Sequence, residues 1–150
     1  MHNWQVSAVI LRYFTVYGPR QRPDMAIHRF LDAVRGGHRI TLWGTGEQVR
    51  DFTFVEDVVT ATIAAATADV PPGTALNVAG GSSLSVNELV ALVEVTTGRH
   101  ADVERLATQP GDVTATGGSI ERARRLLGWK PATSMAEGLA RQWDWQRRLR

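Results

Sequence analysis

The sequence has no cysteine, and Lys130 is its single lysine among 150 residues. Without thiols there is neither a disulfide framework nor a thiolate metal site. Its four histidines, His2, His28, His38 and His100, share no metal-ligand spacing and read as surface or loop residues, so no metal is expected. No run approaches the roughly 18 apolar residues needed to cross a bilayer. The first residues, MHNWQVSAVILR, lack the basic segment, apolar core and small-residue cleavage site of a secretory leader. The expectation is a soluble, cytoplasmic protein with no membrane association. An excess of either charge is also missing, since 17 basic side chains face 15 acidic ones. The cations are almost all arginine, spread among acids, and the C-terminal RRLR suits the end of a helix dipole, so no nucleic-acid partner is expected.

What is there begins with a hydrophobic content of 43%, enough for one domain-sized core. Residues 6–14, VSAVILRYF, are nearly all apolar, β-branched or aromatic, the pattern of a strand covered on both faces in a parallel sheet. The run enters a loop stiffened by Pro19 and Pro23 and carrying Arg20 and Arg22. Asp24 is expected to cap a helix with Ile27, Phe30, Leu31 and Val34 on one face, closed by Gly36 and Gly37. Two short strands, RITLW and RDFTFV, are joined by the turn segment GTGEQ. A second helix runs from near Glu56 to the break at Pro71, Pro72 and Gly73, and ALNVAGG (75–81) reads as a buried strand. Ser85 and Glu88 have capping-box spacing for a third helix closed by Gly98, and ADVERL follows as a strand. A short helix, Ile120 to Leu127, stops at Gly128; Ser134 and Glu137 form another capping box, opening the last helix through Trp143 and Trp145.

Strands alternating with helices define an α/β protein. Only VSAVILRYF and ALNVAGG resemble central parallel strands, and two strands do not make a sheet. The chain is therefore expected to belong to something larger on its N-terminal side.

Five segments, LRYFTVYGPRQRPDMA, ITLWGTGEQVRDFTFVEDVV, ALNVAGGSSLSVNELV, QPGDV and ARRLLGWKP, occur in an order and spacing that closely resembles the C-terminal part of NAD-dependent epimerases and dehydratases of the extended short-chain dehydrogenase/reductase family. The resemblance implies the last parallel strands of a Rossmann-type fold plus a small substrate lobe. On this reading residues 1–150 are a single unit, the C-terminal nucleotide-sugar-binding lobe, without the N-terminal NAD-binding domain. The family's Gly-x-x-Gly-x-x-Gly loop and Tyr-x-x-x-Lys pair do not occur in these residues, so no catalytic residue is assigned and the chain by itself is expected to be inactive. The cofactor implied is NAD, its main site lying elsewhere. The partners implied are a nucleotide sugar and a Rossmann-domain partner or a second copy.

The resemblance also carries site residues. Arg50 takes the place of the diphosphate-binding arginine, a role its planar guanidinium suits; pairing with Asp51 is the alternative. Gln109 stands where relatives usually place a second arginine. Asp112 matches the carboxylate that takes ribose hydroxyls, or else caps the turn after Gly111. Trp43 lies where relatives stack an aromatic near the base, and a plain core or strand-end role competes. Asn77 either touches phosphate or holds its turn, the structural role being favoured. Thr15 and Arg22 match the UDP-glucuronate 4-epimerase subset, in which the arginine before Pro-Asp-Met reads the sugar carboxylate; Arg22 paired with Asp24 is the alternative. Tyr13 and Phe14 would border the nicotinamide. The implied function is nucleotide-sugar binding for a UDP-glucuronate or UDP-glucose 4-epimerase. The alternatives are an inactive truncated remnant, a binding or oligomerisation module, or part of a nucleotide-sugar dehydratase or decarboxylase.

Overall fold

The structure, a computed structural model, describes residues 7–108, 111 and 113–149. Its elements follow in the order β1 (Ile10–Tyr13), β2 (Thr15–Tyr17), α1 (Ala26–Gly36), β3 (Ile40–Trp43), β4 (Val49–Phe54), α2 (Val55–Thr67), β5 (Ala75–Val78), β6 (Ser82–Ser85), α3 (Val86–Thr97), β7 (Val103–Leu106), α4 (Glu121–Leu127) and α5 (Met135–Gln146). The α/β class is borne out, with parallel pairing of β1 with β5, β2 with β4 and β3 with β7.

The long apolar run does not make one strand. It breaks at Phe14: β1 pairs with β5, Ile10 opposite Ala75 and Tyr13 opposite Val78, while β2 crosses to β4, Thr15 opposite Phe52. The two-face burial expected of this run is also not found, since Ile10 is 48% and Tyr13 49% exposed. The side of β1 that carries Leu11 is covered by α2 and α4, although Tyr13 on that same side reaches α2 only through its hydroxyl and stays half exposed. There Val9, Leu11 and Val16 pack on Val58, Ala61, Leu76, Val78, Ala123 and Trp129.

The larger core lies on the other side of the split. The Tyr17 ring packs edge to face on Phe52 at 6.3 Å and on Phe54 at 5.5 Å from centroid to centroid. Ile27 and Leu31 of α1, Leu89 and Val93 of α3, and Leu139 of α5 close around them. β3 and β4, joined by GTGEQ, do not pair with each other: β3 pairs with β7 and β4 takes β6 as an antiparallel neighbour.

Helix ends follow the sequence signals with two corrections. Ser85 Oγ accepts from the Glu88 amide at 3.1 Å and Glu88 Oε2 accepts from the Ser85 amide at 2.7 Å, a complete capping box. Gly98 and Gly128 end α3 and α4 in the left-handed conformation. At α5, however, the capping is one-sided, with Ser134 Oγ accepting from the Glu137 amide at 3.2 Å. Asp24 does not cap α1. The N-cap is Met25, without a side-chain bond, and the amide of His28 is taken by Gln21 Oε1 at 3.1 Å from back along the loop. Among the described residues no helix is long and apolar enough to cross a membrane.

Candidate functional site

The loop after β2 is built around a forced backbone. Gly18 has φ +131, and a Cβ there would meet Val55 Cγ1 at 2.7 Å and the Phe54 ring at 2.9 Å, so no side chain fits. Arg20 adopts the left-handed region with φ 70, uncommon for a residue with a side chain. The shape is held from α5. Gln142, fully buried, accepts the Gly18 amide on Oε1 at 2.8 Å and donates to Gln21 Oε1 at 2.9 Å. Gln21 in turn donates to Val16 O at 3.0 Å. His28 Nδ1 lies 3.0 Å from Gln21 O, and Gln146 Nε2 donates to His28 O at 2.8 Å. His28 is 9% exposed, a buried helix residue rather than the surface or loop histidine expected from the sequence.

This loop walls a hollow of about 320 Å³ lined by Val16, Tyr17, Pro19, Arg22, Met25 and Val55 among others. Arg22 reaches it on the rim. Its Nη2 donates to Asp24 Oδ2 at 3.1 Å and approaches Met25 Sδ at 3.7 Å, with the side chain 75% exposed. The loop-stiffening pair is thus formed, and solvent still reaches the guanidinium. Burial and the nearby carboxylates of Asp57 and Glu137 push the Tyr17 hydroxyl far above its ordinary value, leaving it a neutral core group.

Across the turn of residues 22–26 lies a second hollow, about 230 Å³, where α1, β3 and β4 meet. Trp43 and Arg50 line it together, with Asp24, Arg29 and Gln48. Trp43 ends β3 and is 44% exposed, so it is not a core tryptophan. Its carbonyl accepts Gln48 Nε2 at 2.8 Å, which folds GTGEQ back on the strand. Arg50 Nη1 donates to Val49 O at 2.9 Å. Strand alternation puts Asp51 on the opposite face, where it is 3% exposed and accepts the Gly80 amide at 2.9 Å. Burial pushes the Asp51 carboxyl above its ordinary value, against the backbone amides of Gly80, Gly81 and Gly118 that favour its charged form.

The remaining expected site residues sit apart from these hollows. Thr15 is half-buried at the start of β2 and lines neither one. Tyr13 and Phe14 project to opposite sides: the Tyr13 hydroxyl meets Thr62 Oγ1 of α2 at 3.0 Å, whereas Phe14 lies against Gly118. Asn77 Nδ2 donates to Ser119 O at 3.2 Å, tying the end of β5 to the segment before α4. For a dinucleotide, Phe14 offers one apolar wall. The glycines after β5 lead into β6 rather than a helix, so they lack the strand-to-helix geometry that cradles phosphate. Gln109 and Asp112 lie outside the described residues.

Three residues that hold the site together have no signature in the sequence. Gln21 and Gln142 bond across 121 positions, and Asp57, 4% exposed, accepts the Ala132 and Thr133 amides at 3.1 Å each. Asp57 falls in the first turn of α2, which any acid favours, so its second task is invisible without the fold.

A family model described as the NAD dependent epimerase/dehydratase family matches residues 1–79. The chain belongs to that family. A UDP-glucuronate 4-epimerase of Thermodesulfobacterium geofontis is 37% identical over 148 residues, covering 97% of this chain and 45% of that protein. An uncharacterized UDP-glucose epimerase, YtcB, of Bacillus subtilis is 39% identical over 140 residues, covering 93% of this chain and 44% of the relative. Among solved structures, UDP-glucuronic acid 4-epimerase from Bacillus cereus in complex with UDP-glucuronic acid and NAD superposes with a TM-score of 0.92 at 36% identity, over 97% of this chain and 47% of that one. The chain therefore spans about half the length of the curated relatives it matches.

Proposed function

We propose that residues 1–150 are the nucleotide-sugar-binding half of an NAD-dependent 4-epimerase acting on UDP-glucuronate or UDP-glucose. The observation that carries this reading is the shared hollow of Trp43 and Arg50, a stacking face and a phosphate-binding cation, with Arg22 on the adjoining one. Trp43 stacks on the base, Arg50 takes the diphosphate and Asp112 the ribose hydroxyls. Arg22, released from Asp24, reads the C6 carboxylate. Asn77 keeps its turn in place. NAD supplies hydride acceptance and return at the sugar, and Phe14 borders its nicotinamide; Tyr13 supports this edge through α2.

The partner is a dinucleotide-binding half that lays a parallel strand against β1. Ile10 is 48% exposed on β1, and Val59 at 50% and Ile63 at 60% are exposed on α2, so apolar surface is open on both elements. The same surface favours a second reading, a module that binds or assembles with another chain. Joining the chain to the NAD-binding half of a relative and assaying interconversion of UDP-glucuronate and UDP-galacturonate tests the first reading. Turnover that falls with Arg22→Ala for UDP-glucuronate but not for UDP-glucose supports it. Equal turnover by the variant removes the carboxylate role, and a folded, NAD-loaded hybrid without turnover of either sugar removes the epimerase reading.

A further inference from the structure

We propose that Arg29 is a second phosphate-binding cation, facing the same ligand as Arg50 and making the Trp43 hollow a site for a nucleoside diphosphate in preference to a monophosphate. The inference rests on the nucleotide-sugar reading above and adds to it a residue and a selectivity. Arg29 lies on α1 and lines the hollow together with Trp43 and Arg50. Among the described residues its guanidinium makes no hydrogen bond or ion pair, and it is exposed. Asp24 is the single acid among the lining residues, and Arg22 already engages it at 3.1 Å.

Helix stability does not account for Arg29. It sits one turn from the start of α1, where the dipole disfavours a cation, and the first turn holds no acid to offset it. Its side chain is also not needed to cover the core, since Phe30 and Leu31 carry that burial. What a cation at this point does is face anions entering beside the Trp43 ring. A diphosphate presents two phosphoryl groups, and one guanidinium satisfies only one of them bidentately. Arg50 on β4 and Arg29 on α1 approach the hollow from different elements, so each can take its own phosphoryl group.

The test is calorimetric titration of the 150-residue chain and its Arg29→Ala, Arg29→Lys and Arg50→Ala variants with uridine, UMP and UDP, with thermal melts to confirm folding. Alanine is the better helix former, so Arg29→Ala retains α1. Wild type is expected to bind UDP more tightly than UMP. Arg29→Ala should lower UDP affinity about tenfold, the loss of one charge-assisted contact. It should leave uridine unchanged, and Arg29→Lys should recover part of the loss. If Arg29→Ala binds UDP as wild type does while Arg50→Ala does not, the role of Arg29 is wrong and the nucleotide reading survives. Equal losses for uridine, UMP and UDP would make Arg29 a support of the cleft and also overturn the proposal. If wild type binds neither UMP nor UDP, both readings fall.

Discussion

Replacing Gln142 by methionine isolates the link between α5 and the loop that carries Arg22. Methionine has nearly the same volume and fills the site without a polar end, so the perturbation is the loss of two hydrogen bonds rather than a cavity. The first loss strands the Gly18 amide, which is buried and bonded to Gln142 Oε1 at 2.8 Å. An orphaned buried donor costs about 1–3 kcal/mol. The second is milder, because Gln21 Oε1 keeps the His28 amide at 3.1 Å after losing Gln142 Nε2. Together the expected destabilisation is about 2.5 kcal/mol, a fall in Tm of about 5–10 °C for a chain of this size. Circular dichroism melts and urea titration measure the global effect, and hydrogen exchange of the Gly18 amide measures the local one. A double-mutant cycle with Gln21→Met should show coupling of about 0.5–3 kcal/mol, since the two side chains touch. An unchanged Tm together with undiminished protection of Gly18 would refute the argument that α5 sets the shape of this loop.

Asp57→Ala leaves the Ala132 and Thr133 amides without their acceptor and should destabilise by about 3 kcal/mol, read as a shift in the urea midpoint, whereas Asp57→Asn keeps one acceptor oxygen and should fall between. Bonds from the Ser85 amide and hydroxyl hold Glu88 below the ordinary carboxyl value of 4.5, so its contribution is present above that pH and is lost as pH falls through the lowered folded-state value. Glu88→Gln keeps the acceptor but cannot titrate; the acid limb of its stability curve should be shallower than that of wild type, and identical limbs would contradict the box as a source of acid sensitivity.

The elements with a local cause were legible in the residues. Ser85 and Glu88 announce the start of α3 because both halves of their exchange lie within one turn, and Gly98 closes it for an equally local reason. The family resemblance, carried by segments spread along the chain, named Trp43 and Arg50 for one nucleotide, and the fold brings them to one hollow. What was not legible depends on distant partners. Asp24 has the better capping chemistry, yet Arg22 holds it, and Gln21 serves the helix start because Gln142 and Val16 fix its amide. β6 has the sequence SSLS, without a β-former's composition, and exists because the backbone of β4 pairs with it. His28 is buried because α5 lies over it, with Gln146 on its carbonyl.

The break at Phe14 has a mechanical consequence. A single residue separates two strands, each locked in register to a different parallel partner. Neither strand can slide or tilt without breaking its ladder, so the peptide between them works as a fixed ruler, setting how far whatever meets Phe14 lies from whatever meets Arg22. The turn of residues 22–26 is held less firmly, since the Arg22–Asp24 tie there is an exposed ion pair of a kind worth about 0–1 kcal/mol.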